Sequence, residues 1–124
     1  MKRYTDIYKR NNLSGASFNQ RIASVFRKAE ALSIEMVDAI ECKNIEKRYL
    51  NSEELIRIMT EVYDAFEKEA TEGLRQAMQK YCLQNIHLLT KINLKNDKDL
   101  AITLQQSFFE VANMLNEDHA PYKN

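Results

Sequence analysis

Residues 17–39 read SFNQRIASVFRKAEALSIEMVDA and carry the pattern that decides the fold. Ser17 and Gln20 have the spacing of a capping box, in which each side chain accepts a hydrogen bond from the other residue's backbone N–H, so a helix is predicted to start here. Apolar residues then recur at alternating intervals of four and three, which is typical of a helix packed lengthwise against another. They are Phe18, Ile22, Val25, Ala29, Leu32, Met36 and Ala39.

The chain contains very few residues that interrupt helices. From residue 16 to residue 120 there is one glycine, Gly73, and no proline. Glycine supplies positive φ and proline blocks the helical hydrogen-bond ladder, so their scarcity predicts long, uninterrupted helices. We expect the first helix to reach about Tyr49 and to be followed by a turn at residues 50–52, where Asn51 or Ser52 caps the second helix.

The second predicted helix extends to about Leu94. The polar run at residues 95–99 predicts the next turn, with Asn96 or Asp97 as the cap. A third helix follows and ends near Glu117. Short turns make consecutive helices antiparallel neighbours. The predicted fold is therefore all-α: a long antiparallel helical hairpin with a shorter third helix, which together form a three-helix bundle. The predicted boundaries are a flexible basic N-terminal arm at residues 1–15, a single helical domain at 16–118 and a short C-terminal tail at 119–124.

The unequal helix lengths predict an uncovered apolar surface. The third helix lies along only half of the hairpin, so apolar side chains near the turn at residues 50–52 would be buried by two helices alone. A contiguous exposed apolar patch usually marks an interaction surface, and we expect oligomerisation to complete the fold. The predicted interaction surface consists of Val37, Ile40, Ile45, Tyr49, Leu55, Ile58, Met59 and Val62.

Gly73 lies on the apolar stripe of the second predicted helix, between Ala70 and Ala77. Glycine inside a helix costs about 1 kcal/mol relative to alanine, so a compensating contact is expected. Folding about the first turn places Ala29 opposite Gly73. The prediction is close helix packing at Ala29, Ala70, Gly73 and Ala77, and a hinge at Gly73 is the alternative.

The amino-acid composition limits the classes of partner that the chain is expected to bind. Formal net charge is zero, from 18 basic and 18 acidic residues, whereas a nucleic-acid binder normally has a basic excess. No apolar run reaches the ~20 residues of a membrane span, although binding at the periphery of a surface stays open. Residues 1–14 carry four basic side chains against Asp6 alone, which indicates a solvated tail or contact with an anionic surface. No hydrophobic segment follows them, so no secretory signal is predicted and a cytoplasmic location is expected; an effector exported without a cleaved signal would look the same.

The sequence predicts no enzymatic centre, metal site or cofactor. Neither His87 nor His119 follows a glutamate at the three-residue spacing of a di-iron bundle. Cys42 and Cys82 form no CxxC pattern. The acidic residues at positions 61–72 are spread around a helix, which indicates a solvated face rather than paired catalytic carboxylates. Phosphotransfer domains resemble H-x-x-K-G around their histidine; here Lys91 is one place late after His87 and the glycine is missing.

One segment resembles a known family. Between Leu88 and Phe109, Lys-Asn-Asp-Lys-Asp separates two apolar helices and is followed by Leu-Ala-x-x-Leu-Gln-Gln-x-Phe-Phe. This segment resembles phasins, the helical proteins that coat polyester storage granules. The resemblance covers about a fifth of the chain, and the helix that continues in that family ends here near Glu117. It implies an amphipathic coat protein that binds a lipid or storage-granule surface.

The sequence thus favours a non-enzymatic helical protein–protein interaction or adaptor protein. It would act through apolar helix faces, form coiled-coil-like contacts and assemble as a homo-oligomer, with room for a second protein partner. Two alternatives stay open: the phasin-like coat protein, and a helical phosphotransfer or small regulatory protein that uses His87.

Overall fold

The computed structural model describes residues 17–69 and 72–118, and within these ranges the chain forms four helices and no strand. We number them α1 (Phe18–Glu41), α2 (Ile45–Glu69), α3 (Glu72–Lys95) and α4 (Lys98–Asp118). The all-α prediction is confirmed. The three-helix count is wrong, because the chain makes two short hairpins rather than one long one. Residues 1–16, 70, 71 and 119–124 lie outside the described ranges, and so do the predicted arm, the C-terminal tail and Ala70.

The start of α1 is the capping box that the sequence predicts. The backbone N–H of Gln20 donates to Ser17 Oγ at 3.1 Å, and the backbone N–H of Ser17 donates to Gln20 Oε1 at 3.3 Å. Together these bonds satisfy two of the backbone donors that every helix leaves unpaired at its N-terminus.

The first turn lies at residues 42–44, and its predicted position at 50–52 is wrong. Lys43 adopts a left-handed conformation with φ 57°, and the backbone N–H of Asn44 donates to the Ala39 carbonyl at 2.8 Å, which closes the end of α1. Asn44 then caps α2, because its Oδ1 accepts from the Lys47 backbone N–H at 3.1 Å. Asn51 and Ser52, the predicted caps, lie inside α2 and are buried.

The turn between α3 and α4 is confirmed at its predicted place. Asn96 has φ 54°, and Asp97 is the cap, since its Oδ1 accepts from the Leu100 backbone N–H at 3.1 Å. Asn96 Oδ1 also accepts from the Arg48 side chain at 2.9 Å, and Lys98 pairs with Glu41 at 2.7 Å. These contacts place the α1–α2 and α3–α4 turns at the same end of the molecule.

The four helices form a ring in which each contacts two neighbours. The α1–α4 interface is the most extensive, α2–α3 and α1–α2 follow, and α3–α4 is the least extensive. The core runs through the centre of this ring. Phe26 lies between Phe108, with ring centroids 5.8 Å apart, and Tyr81, at 6.0 Å, while Phe18 meets Phe66 edge-on at 4.9 Å. Phe26, Phe66 and Phe108 are fully buried.

Candidate interaction surface

Most of the predicted interaction surface lies in the core, which corrects the prediction. Leu55, Ile58, Met59 and Val62 are buried, as is Ile40 on α1, and Val37 is half-buried. The reason is the early turn at residues 42–44, which makes α1 and α2 similar in length so that α3 and α4 cover both of them. Of the predicted set, Ile45 and Tyr49 at the start of α2 are exposed.

The predicted close packing around Gly73 is also wrong. Gly73 is exposed near the start of α3, and a Cβ atom built on it would meet nothing within 4 Å. Ala77 is exposed as well, whereas Ala29 is fully buried on α1. The prediction failed because it placed Gly73 in the middle of a continuous helix, whereas α2 ends at Glu69 and α3 begins at Glu72.

The groups considered for chemistry are dispersed in the structure. His87 is exposed on α3, Cys42 is exposed after α1, and Cys82 is buried in α3; both cysteines are free thiols. Burial raises the pKa of the Cys82 thiol to about 12, so at neutral pH it remains protonated and is a weak nucleophile. Within the described ranges, no group of three His, Cys, Asp or Glu residues could hold a metal ion.

The least packed interface of the ring, between α3 and α4, carries a line of partly covered apolar side chains. A hydrogen bond between the Tyr81 hydroxyl and Ser107 Oγ shows which residues of α3 and α4 lie opposite each other. Seven residues to one side of this pair are Leu74 and Met114, and seven to the other side are Leu88 and Leu100. Because the helices are antiparallel, each of these pairs lies at one level along the interface. We call this line the α3–α4 seam; it comprises Leu74, Tyr81, Leu88, Leu100, Val111 and Met114.

The side chains of the α3–α4 seam are covered to different degrees. Leu74, Tyr81, Leu88, Leu100 and Val111 are partly buried and pack against the core, while Met114 is 50% exposed. They contact the core on one side and have incomplete cover on the other, because α3 and α4 form the least extensive interface of the ring. The seam is therefore a line of partly covered apolar side chains between α3 and α4.

Tyr81 supplies the principal polar contact across the seam. Burial raises the pKa of its phenol above the ordinary value, and nearby Cys82 and Glu110 add to this, although hydrogen bonds with Ser107 and Asn85 act in the opposite direction. The phenol is therefore neutral at physiological pH. A neutral hydroxyl that is already hydrogen-bonded leaves the seam predominantly apolar.

Sequence reasoning missed the α3–α4 seam because the seam depends on how α3 and α4 are placed, and not on either helix alone. The apolar positions Leu74, Leu88 and Val111 are visible in the sequence as parts of ordinary amphipathic stripes. Their incomplete cover follows from the limited approach of α3 to α4, which local periodicity does not encode.

Comparisons of the chain with protein-family models, with curated proteins and with solved structures find no match. None of the helices in the described part of the chain combines the length and the apolar character that crossing a bilayer requires.

Proposed function

We propose that this protein is a non-enzymatic helical interaction protein that associates with a second copy of itself through the α3–α4 seam. The observation that carries the proposal is the incomplete cover of the apolar side chains along the least packed interface of the bundle. Contiguous apolar surface of this kind usually marks a place where another protein binds.

The expected strength of the association follows from the burial. A fully exposed large apolar side chain gains about 1.5–3 kcal/mol on burial, so the half-exposed Met114 gains about 1 kcal/mol and each of the five partly buried side chains gains about 0.5 kcal/mol. The two seams that meet in a dimer therefore offer roughly 7 kcal/mol in all, a value within the range estimated for the lost translational and rotational freedom. We therefore expect weak, concentration-dependent association.

The partial cover of the seam favours a protein over a lipid or granule surface. Five of its side chains are partly buried against the core, and Tyr81 and Ser107 are hydrogen-bonded at its middle. An amphipathic helix from another chain can pack its apolar face along such a line of side chains. A lipid surface would instead favour an apolar face that projects outward from one helix.

The test is sedimentation velocity over a wide range of protein concentrations, with Met114→Glu as the variant. A carboxylate in the seam should abolish association, because burying it without a partner costs several kcal/mol. Ile34→Glu is the matched control, since Ile34 is 49% exposed on α1, away from the seam. We expect Ile34→Glu to behave as wild type. A wild-type chain that stays monomeric throughout, or an association that Met114→Glu leaves unchanged, would refute the proposal.

A further inference from the structure

The helix α3 concentrates positive charge in a chain that is neutral overall. From residue 73 to residue 96 the sequence has four basic residues and no acidic one. These four of the chain's 18 basic residues leave 14 elsewhere against 18 acidic residues, so the rest of the protein is net negative. Arg75 pairs with Glu72 at the start of α3. The other three, Lys80, Lys91 and Lys95, are exposed and form no ion pair within the described ranges.

The exposed residues of α3 form one stripe along its outer side. The buried residues Met78, Cys82, Asn85, Leu89 and Ile92 mark the side that faces the core. Between residues 80 and 95, the exposed positions recur at the helical spacing of three and four residues on the opposite side. We call this stripe the α3 outer face; it comprises Lys80, Leu83, Gln84, His87, Thr90, Lys91, Leu94 and Lys95.

Two leucines project from the α3 outer face. Leu83 is 55% exposed and Leu94 is 79% exposed. They lie eleven residues apart, which is about 17 Å along the helix axis. Lys80 and Lys91 each precede one of these leucines by three residues, so each leucine has a lysine beside it on the helix surface. The face is separate from the α3–α4 seam, because Leu94 lies about 120° around the helix from Leu88.

We propose that the α3 outer face binds the surface of an anionic lipid bilayer, with α3 lying parallel to that surface. Helices that lie in a bilayer interface combine apolar side chains, which enter the headgroup region, with basic side chains that attract anionic lipids. Leu83 and Leu94 supply the apolar part, and the three exposed lysines supply the charge. The long lysine side chains keep their ammonium groups at the headgroups while the leucines lie deeper.

The absence of acidic side chains from the α3 outer face is what distinguishes it from the other exposed apolar positions. Leu50 on α2 is 58% exposed. Its neighbours one helical turn away include Glu46 and Glu53, and Lys47 is already paired with Glu35. An anionic surface would repel such a site. A bilayer also favours the α3 outer face over an acidic protein, because it offers negative charge and an apolar interior along the whole helix without requiring a pocket for each leucine.

The first test is co-sedimentation of the full chain with vesicles of one part phosphatidylserine to two parts phosphatidylcholine. Wild type should bind these vesicles and should bind pure phosphatidylcholine vesicles far more weakly. A lysine near an anionic surface contributes about a fivefold factor to binding. The variant with Lys80, Lys91 and Lys95 all changed to Gln should therefore bind roughly a hundredfold more weakly.

The matched control for this variant changes three exposed lysines outside α3 to Gln, namely Lys28, Lys43 and Lys68. It removes the same net charge but should bind nearly as tightly as wild type, because charges beyond a Debye length from the lipid are screened. Equal losses in the two variants would overturn the proposal, as would a wild type that binds both kinds of vesicle equally. An α3 variant that binds like wild type would also overturn it, even if removing the four basic residues at positions 1–14 abolished binding.

A second measurement reports directly on whether the leucines enter the lipid. The chain contains no tryptophan, so Leu94→Trp introduces a single indole on the α3 outer face. Its fluorescence should shift to shorter wavelength when the phosphatidylserine vesicles are added, because the indole enters a less polar environment. Leu50→Trp is the matched control and should show no shift. An unchanged Leu94→Trp spectrum, or the same shift at both positions, would contradict binding through α3.

Discussion

Replacing Ser52 by alanine distinguishes the observed fold from the one that the sequence predicts. If Ser52 capped a helix, its loss would destabilise the protein by about 0.5–2 kcal/mol. In the structure Ser52 lies inside α2, is fully buried, and its Oγ has no hydrogen-bond partner. Removing an unpaired buried hydroxyl recovers about 1–3 kcal/mol of desolvation cost, and alanine is also the better helix former. The two topologies therefore predict opposite signs.

We expect Ser52→Ala to raise the free energy of unfolding by about 1–2 kcal/mol, after allowing for the small void left by the oxygen. The assay is urea unfolding followed by circular dichroism at 222 nm. The midpoint should rise while the slope m stays constant, which attributes the change to stability alone. Thermal unfolding should shift upward by about 3–5 °C per kcal/mol for a chain of this size.

Two other serines serve as matched controls. Ser33 is also fully buried, but its Oγ donates to the Ala29 carbonyl at 2.9 Å. Ser33→Ala should therefore be close to neutral, since the lost bond and the gain in helix propensity offset each other. Ser17 is a true cap, so Ser17→Ala should destabilise by about 1 kcal/mol. If Ser52→Ala instead destabilised the protein as much as Ser17→Ala does, the placement of Ser52 inside α2 would be refuted.

Three further predictions concern the thiols and the glycine. In the folded protein at pH 8, Ellman's reagent should modify the exposed Cys42 quickly and the buried Cys82 only after unfolding. The reason is that burial raises the pKa of Cys82 from 9.0 to about 12, which lowers its thiolate fraction about a thousandfold. Equal rates for both thiols would contradict this. Because folding raises the pKa of Cys82, this thiol's contribution to the free energy of unfolding is complete below about pH 9 and is lost as the pH rises toward 12. Urea unfolding at several pH values measures this loss. Gly73→Ala should stabilise the chain by about 0.5–1 kcal/mol in the same assay, because the new Cβ meets open space and alanine favours the helix; a destabilised variant would restore the close-packing hypothesis.

The sequence was informative wherever structure depends on neighbouring residues. The capping box at Ser17, the helical stripe of α1 and the turn at Asn96 and Asp97 all follow from local hydrogen bonding and periodicity, and all are observed. Asparagine tolerates a left-handed conformation, so that turn has a recognisable signal. The α1–α2 turn does not, because its left-handed residue is Lys43. Lysine rarely takes this conformation, and the stronger cap signal at Asn51 and Ser52 led the prediction eight residues too far.

One misplaced turn changed the predicted site as well as the predicted fold. In the predicted fold, α1 extends to Tyr49. Ile58 and Met59 then have too few neighbours to bury them, which made them candidates for an interface. With the turn at residues 42–44, the same side chains are fully buried. The α3–α4 seam could not be predicted, because it depends on the packing of whole helices.

The extensive packing of α1 against α4 has a consequence for synthesis in the cell. These two helices are far apart in the sequence, and the side chain of Arg27 reaches Asn113 and lies over the ring of Phe109. A ribosome makes α1 long before α4, so the apolar face of α1 that includes Phe26 lacks its main cover while α2 and α3 emerge. Such transiently exposed surface favours aggregation. We therefore expect the nascent chain to depend on chaperones until α4 has left the ribosome.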